Sequence, residues 1–224
     1  MNNIEFKIFT LAPSKNITPQ IVYDHFSWRK THRYTGANTI QFGDVQEPIW
    51  WNRPLKSNQV IKKEADGLYS YNLPYMHEIM FFKSNYNLLV GKGTVPLIAH
   101  IKVNPNWNSS QKALMHDFVK KAIYNTLIKL GVDATKLTKP SNDILYDGKK
   151  FMGFEGAEHG GWYGAAAVIT LNYSNEAEIF KRLTGEYALK RSICGIQEET
   201  GNKFTKEQFI NTLIEEFKTL LKAL

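Results

Sequence analysis

One stretch constrains this chain more than any other: Asn142-Asp143-Ile144-Leu145-Tyr146-Asp147-Gly148-Lys149-Lys150-Phe151-Met152-Gly153. It reads as two short strands joined by a tight turn. Ile144 and Tyr146 alternate with other side chains, as a half-buried strand requires. Asp147-Gly148 is a strong two-residue hairpin signal, because both turn positions favour positive φ. The second strand carries Lys150 away from the turn and reaches Gly153, where a missing Cβ lets another group come close. A lysine fixed on a strand is well placed to hold a carboxylate or a phosphate. The same pattern also suits an ordinary hairpin with two solvated lysines.

The rest of the chain sets the frame. Its 224 residues suit one domain, and 43% hydrophobic with 22% charged residues excludes a disordered chain. No apolar run approaches the roughly 20 residues of a membrane span. The first residues, Met1-Asn2-Asn3-Ile4-Glu5-Phe6-Lys7, lack the charged-then-apolar order of a signal peptide. The lone cysteine, Cys194, excludes a disulfide within the chain and a thiolate-based structural zinc site. A reducing, cytoplasmic setting is expected. The formal charge of +7 suits an acidic partner: a nucleotide, a nucleic acid or an acidic carrier domain. The lysines are scattered without a basic run, so nucleic acid is the less favoured of these.

Taken in order, the pattern predicts strands over 5–11, 39–42 and 48–53, and a helix over 18–31 opened by Thr18-Pro19. A short helix is expected over 56–65. Strands are expected over 77–82, 86–90 and 95–103. Gly91-Lys92-Gly93-Thr94 lies between the last two, and its backbone N–H groups could approach a phosphate or carboxylate; the plainer reading is a hairpin turn. The clearest helix covers 109–130, with Ala113, Leu114, Phe118, Ala122, Ile123 and Leu127 at three- and four-residue steps. Ser109 or Ser110 is its expected cap, and Gly131 ends it. Residues 154–164, with Glu155, Glu158, His159 and several glycines, read as a mobile loop over the site or as an acid/base or metal set. A strand over 165–172, a short helix over 176–183 and an amphipathic helix over 205–222 complete the chain. The last opens with the capping box Thr205-Lys206-Glu207-Gln208.

The hairpin resembles the D-G-x-K-[IV]-[SA]-G strand pair of the superfamily of lipoate–protein ligases, octanoyl transferases and biotin–protein ligases, with Lys150 at the lysine position. The resemblance extends to the long helix, to Leu130-Gly131-Val132 after it, and to Leu171-Asn172. Cys194-Gly195 stands where octanoyl transferases carry the cysteine that forms an acyl thioester; Ser192-Ile193 also fits the S-V-[RK]-S of lipoate ligases. Asn52-Arg53 replaces the family's Gly-Arg before the acyl tunnel. Lys83-Ser84-Asn85 stands in place of R-G-G, and Ala166 or Ala167 falls where a strand histidine is expected. His159 would need a different backbone path to substitute for it.

The resemblance implies one α/β catalytic domain spanning 1–224: a mixed, largely antiparallel sheet flanked by helices, without a C-terminal accessory domain. It implies transfer of a lipoate-, octanoate- or related acyl group to an amine, chiefly a carrier-domain lysine. Lys150 and Cys194 are the expected catalytic residues. Arg53, Lys83, Gly91, Gly93, Thr94, Asn142, Asp143, Gly153 and His159 are the expected substrate contacts. Two mechanisms fit. In one, Cys194 becomes a thioester, with neighbouring cations favouring its thiolate. In the other, ATP with Mg²⁺ adenylates a free acid held by Lys150 and the 91–94 loop. No protein metal site is expected. The alternative is a non-catalytic module of the same fold that binds a small acid, a nucleotide or a nucleic acid.

Overall fold

A computed structural model describes residues 4–11, 38–45, 49–51, 61–63, 69–71, 88–90, 93–140, 143–172 and 194–224. Eleven strands are present among them: β1 (Ile4–Leu11), β2 (Asn38–Val45), β3 (Ile49–Trp51), β4 (Ile61–Lys63), β5 (Tyr69–Tyr71), β6 (Leu88–Val90), β7 (Thr94–Lys102), β8 (Leu137–Thr138), β9 (Asp143–Tyr146), β10 (Lys149–His159) and β11 (Trp162–Thr170). Three α-helices join them: α1 (Ser109–Lys129), α2 (Ile196–Thr200) and α3 (Lys206–Leu221). No described helix is long and apolar enough to cross a membrane.

Seven strands form one sheet in the order β1-β2-β7-β11-β10-β9-β8. Only β1 and β2 run parallel in it. A second sheet has the order β4-β5-β3-β6. This is the mixed, largely antiparallel sheet with flanking helices expected from the sequence.

Strand alternation sends one set of side chains of the large sheet toward the helices. Ile40, Phe42, Val95, Leu97, Tyr163 and Ile169 belong to it and are fully buried. α1 covers them with Phe118, Ala122 and Ile123, and α3 with Phe209, Leu213 and Phe217; the Phe118 and Phe217 rings lie 5.1 Å apart. Both helices start on reciprocal caps. Thr205 and Gln208 cap α3 as expected. α1 is capped by Asn108 with Gln111, one residue ahead of the expected serines, because the asparagine carboxamide accepts the N3 backbone N–H. Gly131 sits at φ 85°, the left-handed position that stops α1.

Two expectations fail. Within the helix expected over 56–65, Ile61–Lys63 is a strand paired antiparallel with Tyr69–Tyr71; β-branched Ile61 suits an extended backbone better than a helix. The loop expected over 154–164 is a long hairpin. β10 and β11 pair from Met152↔Ile169 to His159↔Trp162, and Gly160-Gly161 turns the chain with φ 58° and 78°. The helices expected over 18–31 and 176–183 and the strand over 77–82 lie outside the described residues.

Candidate functional site

The second face of the large sheet carries the candidate site. Register puts Asp143 opposite Gly153, and Gly153 opposite Val168. Along β11 this face is buried at Trp162 and Gly164, then partly open at Ala166, Val168 and Thr170. The open end lies beside the lysine hairpin. At the buried end the His100 and Trp162 rings stack at 4.4 Å.

The hairpin adopts the expected turn, with Asp147 at φ 49° and Gly148 at φ 78°. Its second strand contains a bulge. Lys150 pairs with Leu145 and Met152 with Ile144, so Phe151 is an extra residue. In a regular strand, Lys150 and Gly153 would point to opposite faces, being three residues apart. The extra residue brings them to the same face. Consequently the Lys150 ammonium lies over Gly153: a Cβ there would stand 3.3 Å from Nζ and 3.4 Å from Cε. Lys150 Nζ pairs with Asp143 Oδ1 at 2.7 Å, and the two side chains remain 35% and 22% exposed. The bulge, the glycine and the carboxylate together aim one cation across a partly open floor of Gly153, Ala166 and Val168.

Cys194 is brought to the same hairpin, by its backbone. Its N–H donates to the Lys150 carbonyl at 2.9 Å. The residue is 3% exposed and its Sγ lies 3.9 Å from the Lys149 carbonyl oxygen. Burial pushes the thiol up to about 12, and Glu199 adds to the effect against the opposing pull of Lys149. Among the described residues, the charges beside Cys194 are of both signs. Lys149 is bound to both carboxylate oxygens of Glu199 at 2.7 Å, and the anion beside the thiol disfavours its thiolate.

Gly93 and Thr94 lie at the start of β7. A Cβ on Gly93 would fall 2.2 Å from the Asn172 carbonyl oxygen. The Gly93 carbonyl accepts the N–H groups of Leu171 and Asn172 at 2.8 and 3.0 Å. This glycine is needed because β7 is pressed onto the end of β11. Thr94 is buried opposite Thr170. His159 ends β10 at a register position opposite Trp162, six residues from the Gly153 row. Arg53, Lys83, Gly91 and Asn142 lie outside the described residues. Of the expected set, then, Lys150, Asp143 and Gly153 meet in one place, Cys194 supports it from behind, and Gly93 with Thr94 lies toward the strand ends. Glu199 went unnoticed in the sequence. Its only sequence signal is its place one helical turn after Gly195.

A family model described as the lipoyl protein ligase A/B catalytic domain matches residues 103–218, just over half of the chain. No curated protein sequence matches. Among solved structures, the bi-partite lipoate protein ligase of Thermoplasma acidophilum, from an archaeal lipoylation system with an E2 lipoyl domain, is similar at TM-score 0.61 and 17% identity, over 99% of this chain and 85% of that one. A T. acidophilum protein described as a candidate lipoate protein ligase, with bound lipoic acid, is similar at TM-score 0.62 and 15% identity, over 97% and 85%. The biotin protein ligase of Leishmania major in complex with biotin is similar at TM-score 0.51 and 13% identity, over 95% and 72%. At these identities the structural likeness speaks for the fold.

Proposed function

The chain belongs to the lipoyl protein ligase A/B catalytic-domain family, and from that premise we propose that it is an ATP-dependent acid–amine ligase. It activates a small carboxylic acid of the lipoate or octanoate type and transfers it to the lysine of a carrier domain. The observation that carries this reading is the contrast at the hairpin. Lys150 is a partly open cation over a cleared floor, whereas Cys194 is a buried, protonated thiol. A thioester route starts from an accessible thiolate; an acyl-phosphate route needs a positioned cation.

In this mechanism Lys150 exchanges part of its pairing with Asp143 for the substrate carboxylate. That holds the acid against the sheet and orients one oxygen. This oxygen attacks the α-phosphorus of ATP, and pyrophosphate leaves. Lys150 then stabilises the charge on the acyl carbonyl as the neutral carrier amine attacks; the amine's proton passes to solvent, and AMP leaves with the electron pair of the broken C–O bond. Mg²⁺ belongs to the reading as counter-ion to the nucleotide's phosphates. No three His, Cys, Asp or Glu side chains are grouped for a metal among the described residues. Asp143 fits the pattern of a magnesium held by one carboxylate plus phosphates. The net charge of +7 suits both the nucleotide and an acidic carrier surface.

The test is acid-dependent exchange of labelled pyrophosphate into ATP, run with octanoic and lipoic acids, alongside intact-mass analysis of the protein. Exchange that survives Cys194→Ala, with an acyl-adenylate retained on the protein, is the expected result. An acyl adduct on Cys194 formed from carrier thioesters, and released by hydroxylamine, would overturn it in favour of the transferase route. No exchange and no adduct across the acids would leave the binding-module alternative.

A further inference from the structure

Lys149 and Lys150 are adjacent, and they serve different anchors. Lys150 faces Asp143 on the open sheet face, while Lys149 reaches α2 and grips Glu199 through both carboxylate oxygens. The backbone between them is a weak point in the sheet. β11 pairs with β10 only from Met152 onward. At Lys150 the edge is taken instead by the Cys194 N–H, which donates to the Lys150 carbonyl. The bulge lies at this spot, and the bulge is what turns Lys150 toward Gly153. The segment 194–200 thus contacts the hairpin backbone at the bulge that sets the Lys150 direction. On its far side this segment is fixed by the Gln197 N–H donating to the Leu171 carbonyl at 2.9 Å and by the Gln197 carboxamide donating to the Phe204 carbonyl. On its near side, Lys149–Glu199 is the side-chain ion pair that joins α2 to the hairpin among the described residues.

We propose that Glu199 is a positioning residue: acting through Lys149, it holds α2 against the bulge and so sets the direction in which Lys150 projects. It touches no reacting atom. An exposed ion pair is worth little as a source of global stability. Its contact with both oxygens nevertheless ties α2 to the hairpin at one defined point. The role is therefore one of aim, with a modest effect on stability. The consequence for substrate binding rests on the acid-activating reading above; the consequence for Lys150 does not.

The experiment is competitive amine labelling at sub-stoichiometric reagent, with each lysine quantified by peptide mass spectrometry. Wild type, Glu199→Gln, and the charge-swapped pair Lys149→Glu with Glu199→Lys are compared, and Lys218 serves as the internal control. In Glu199→Gln, Lys150 should label about two- to fivefold faster, the range open to loss of one exposed ion pair, with Lys218 unchanged and the melting temperature close to wild type. The swapped pair should bring Lys150 back toward the wild-type rate. Lys150 labelling within 1.5-fold (roughly the span of no effect) in Glu199→Gln, or a swap that fails to restore it, would overturn the proposal. Titration of octanoic acid, with and without a non-hydrolysable ATP analogue, separates the two claims. If Lys150 labelling responds and no variant, wild type included, binds the acid, the positioning role stands and the ligase reading falls. If wild type binds the acid and Lys150 labelling is indifferent to Glu199, the reverse holds.

Discussion

The two residues on which chemistry was expected lie one hydrogen bond apart and live in opposite environments. Lys150 projects from a bulged strand over a glycine, paired with Asp143 and partly open to solvent. Cys194 donates its backbone N–H to the carbonyl of that same lysine, yet its thiol is buried and its proton is held firmly. The lesson is that sequence order can deliver a residue to a site without delivering its reactivity. A cation gains from partial exposure beside a counter-charge, while a thiol out of water beside a carboxylate loses the anion it would need.

The comparison breaks most sharply if the two side chains are removed one at a time. Lys150→Ala should lower acid-dependent pyrophosphate exchange by about a hundredfold or more, the usual cost of deleting a charge-stabilising donor. The fold should survive, since the residue is partly exposed and leaves no cavity. Circular dichroism and a melting curve check the second half. If Lys150→Ala retains exchange within a few-fold of wild type, the lysine is no more than a surface charge, and the contrast with Cys194 loses its meaning.

A second pair of positions sharpens the point about clearance. Gly93 and Gly153 were both expected as places where a ligand approaches the backbone. At Gly93 the atom in the way of a Cβ is the Asn172 carbonyl oxygen, at 2.2 Å, and a backbone atom cannot step aside cheaply. Gly93→Ala should cost about 1–3 kcal/mol, the range for overpacking, with a matching fall in denaturation midpoint. At Gly153 the obstacle is the flexible end of Lys150, at 3.3 Å. Gly153→Ala should leave stability within about 0.5 kcal/mol. It should weaken acid binding several-fold by displacing the ammonium, which titration calorimetry would read. Equal losses of stability at the two sites would mean that Gly153 too is there for packing.

What the sequence made legible follows the range of the forces involved. α1 and α3 could be read because their apolar periodicity and caps are written within a few residues of each other. The lysine hairpin could be read because a single dipeptide sets its turn. The hairpin of β10 and β11 could not, although Gly160-Gly161 is an equally good turn, because glycines before it suggested mobility. Gly156 is in fact a packing position: a Cβ there would meet the Phe154 ring at 2.7 Å and the Tyr163 hydroxyl at 2.8 Å. That requirement comes from two other strand positions and has no local signature. The bulge is likewise invisible, since it depends on which residues of β9 face Lys150 and Met152. So is the pairing of Lys149 with Glu199, fifty positions apart in the chain. The positions of the candidate residues Lys150 and Cys194 were legible, and the charges beside them were not.

The smallest expected effects belong to Cys194, and they test the other side of the contrast. Cys194→Ala should leave acid-dependent exchange within about threefold of wild type, because truncating a buried group behind the site perturbs packing more than chemistry. The thiol also makes a pH prediction whose sign follows from linkage. Its folded-state value, about 12, lies above the ordinary value of 9.0. Below pH 9 both the folded and the unfolded chain keep the proton, and the contribution to stability is fully present. Between pH 9 and 12 the unfolded chain releases the proton while the folded chain retains it, so stability falls as pH rises through that window. Urea denaturation from pH 8 to 11 should therefore show a steeper alkaline loss in wild type than in Cys194→Ala, and iodoacetamide should modify the native thiol slowly throughout. Rapid alkylation at neutral pH, or identical alkaline limbs in the two proteins, would mean that Cys194 is open and ionisable. The thioester route would then regain the ground that burial takes from it.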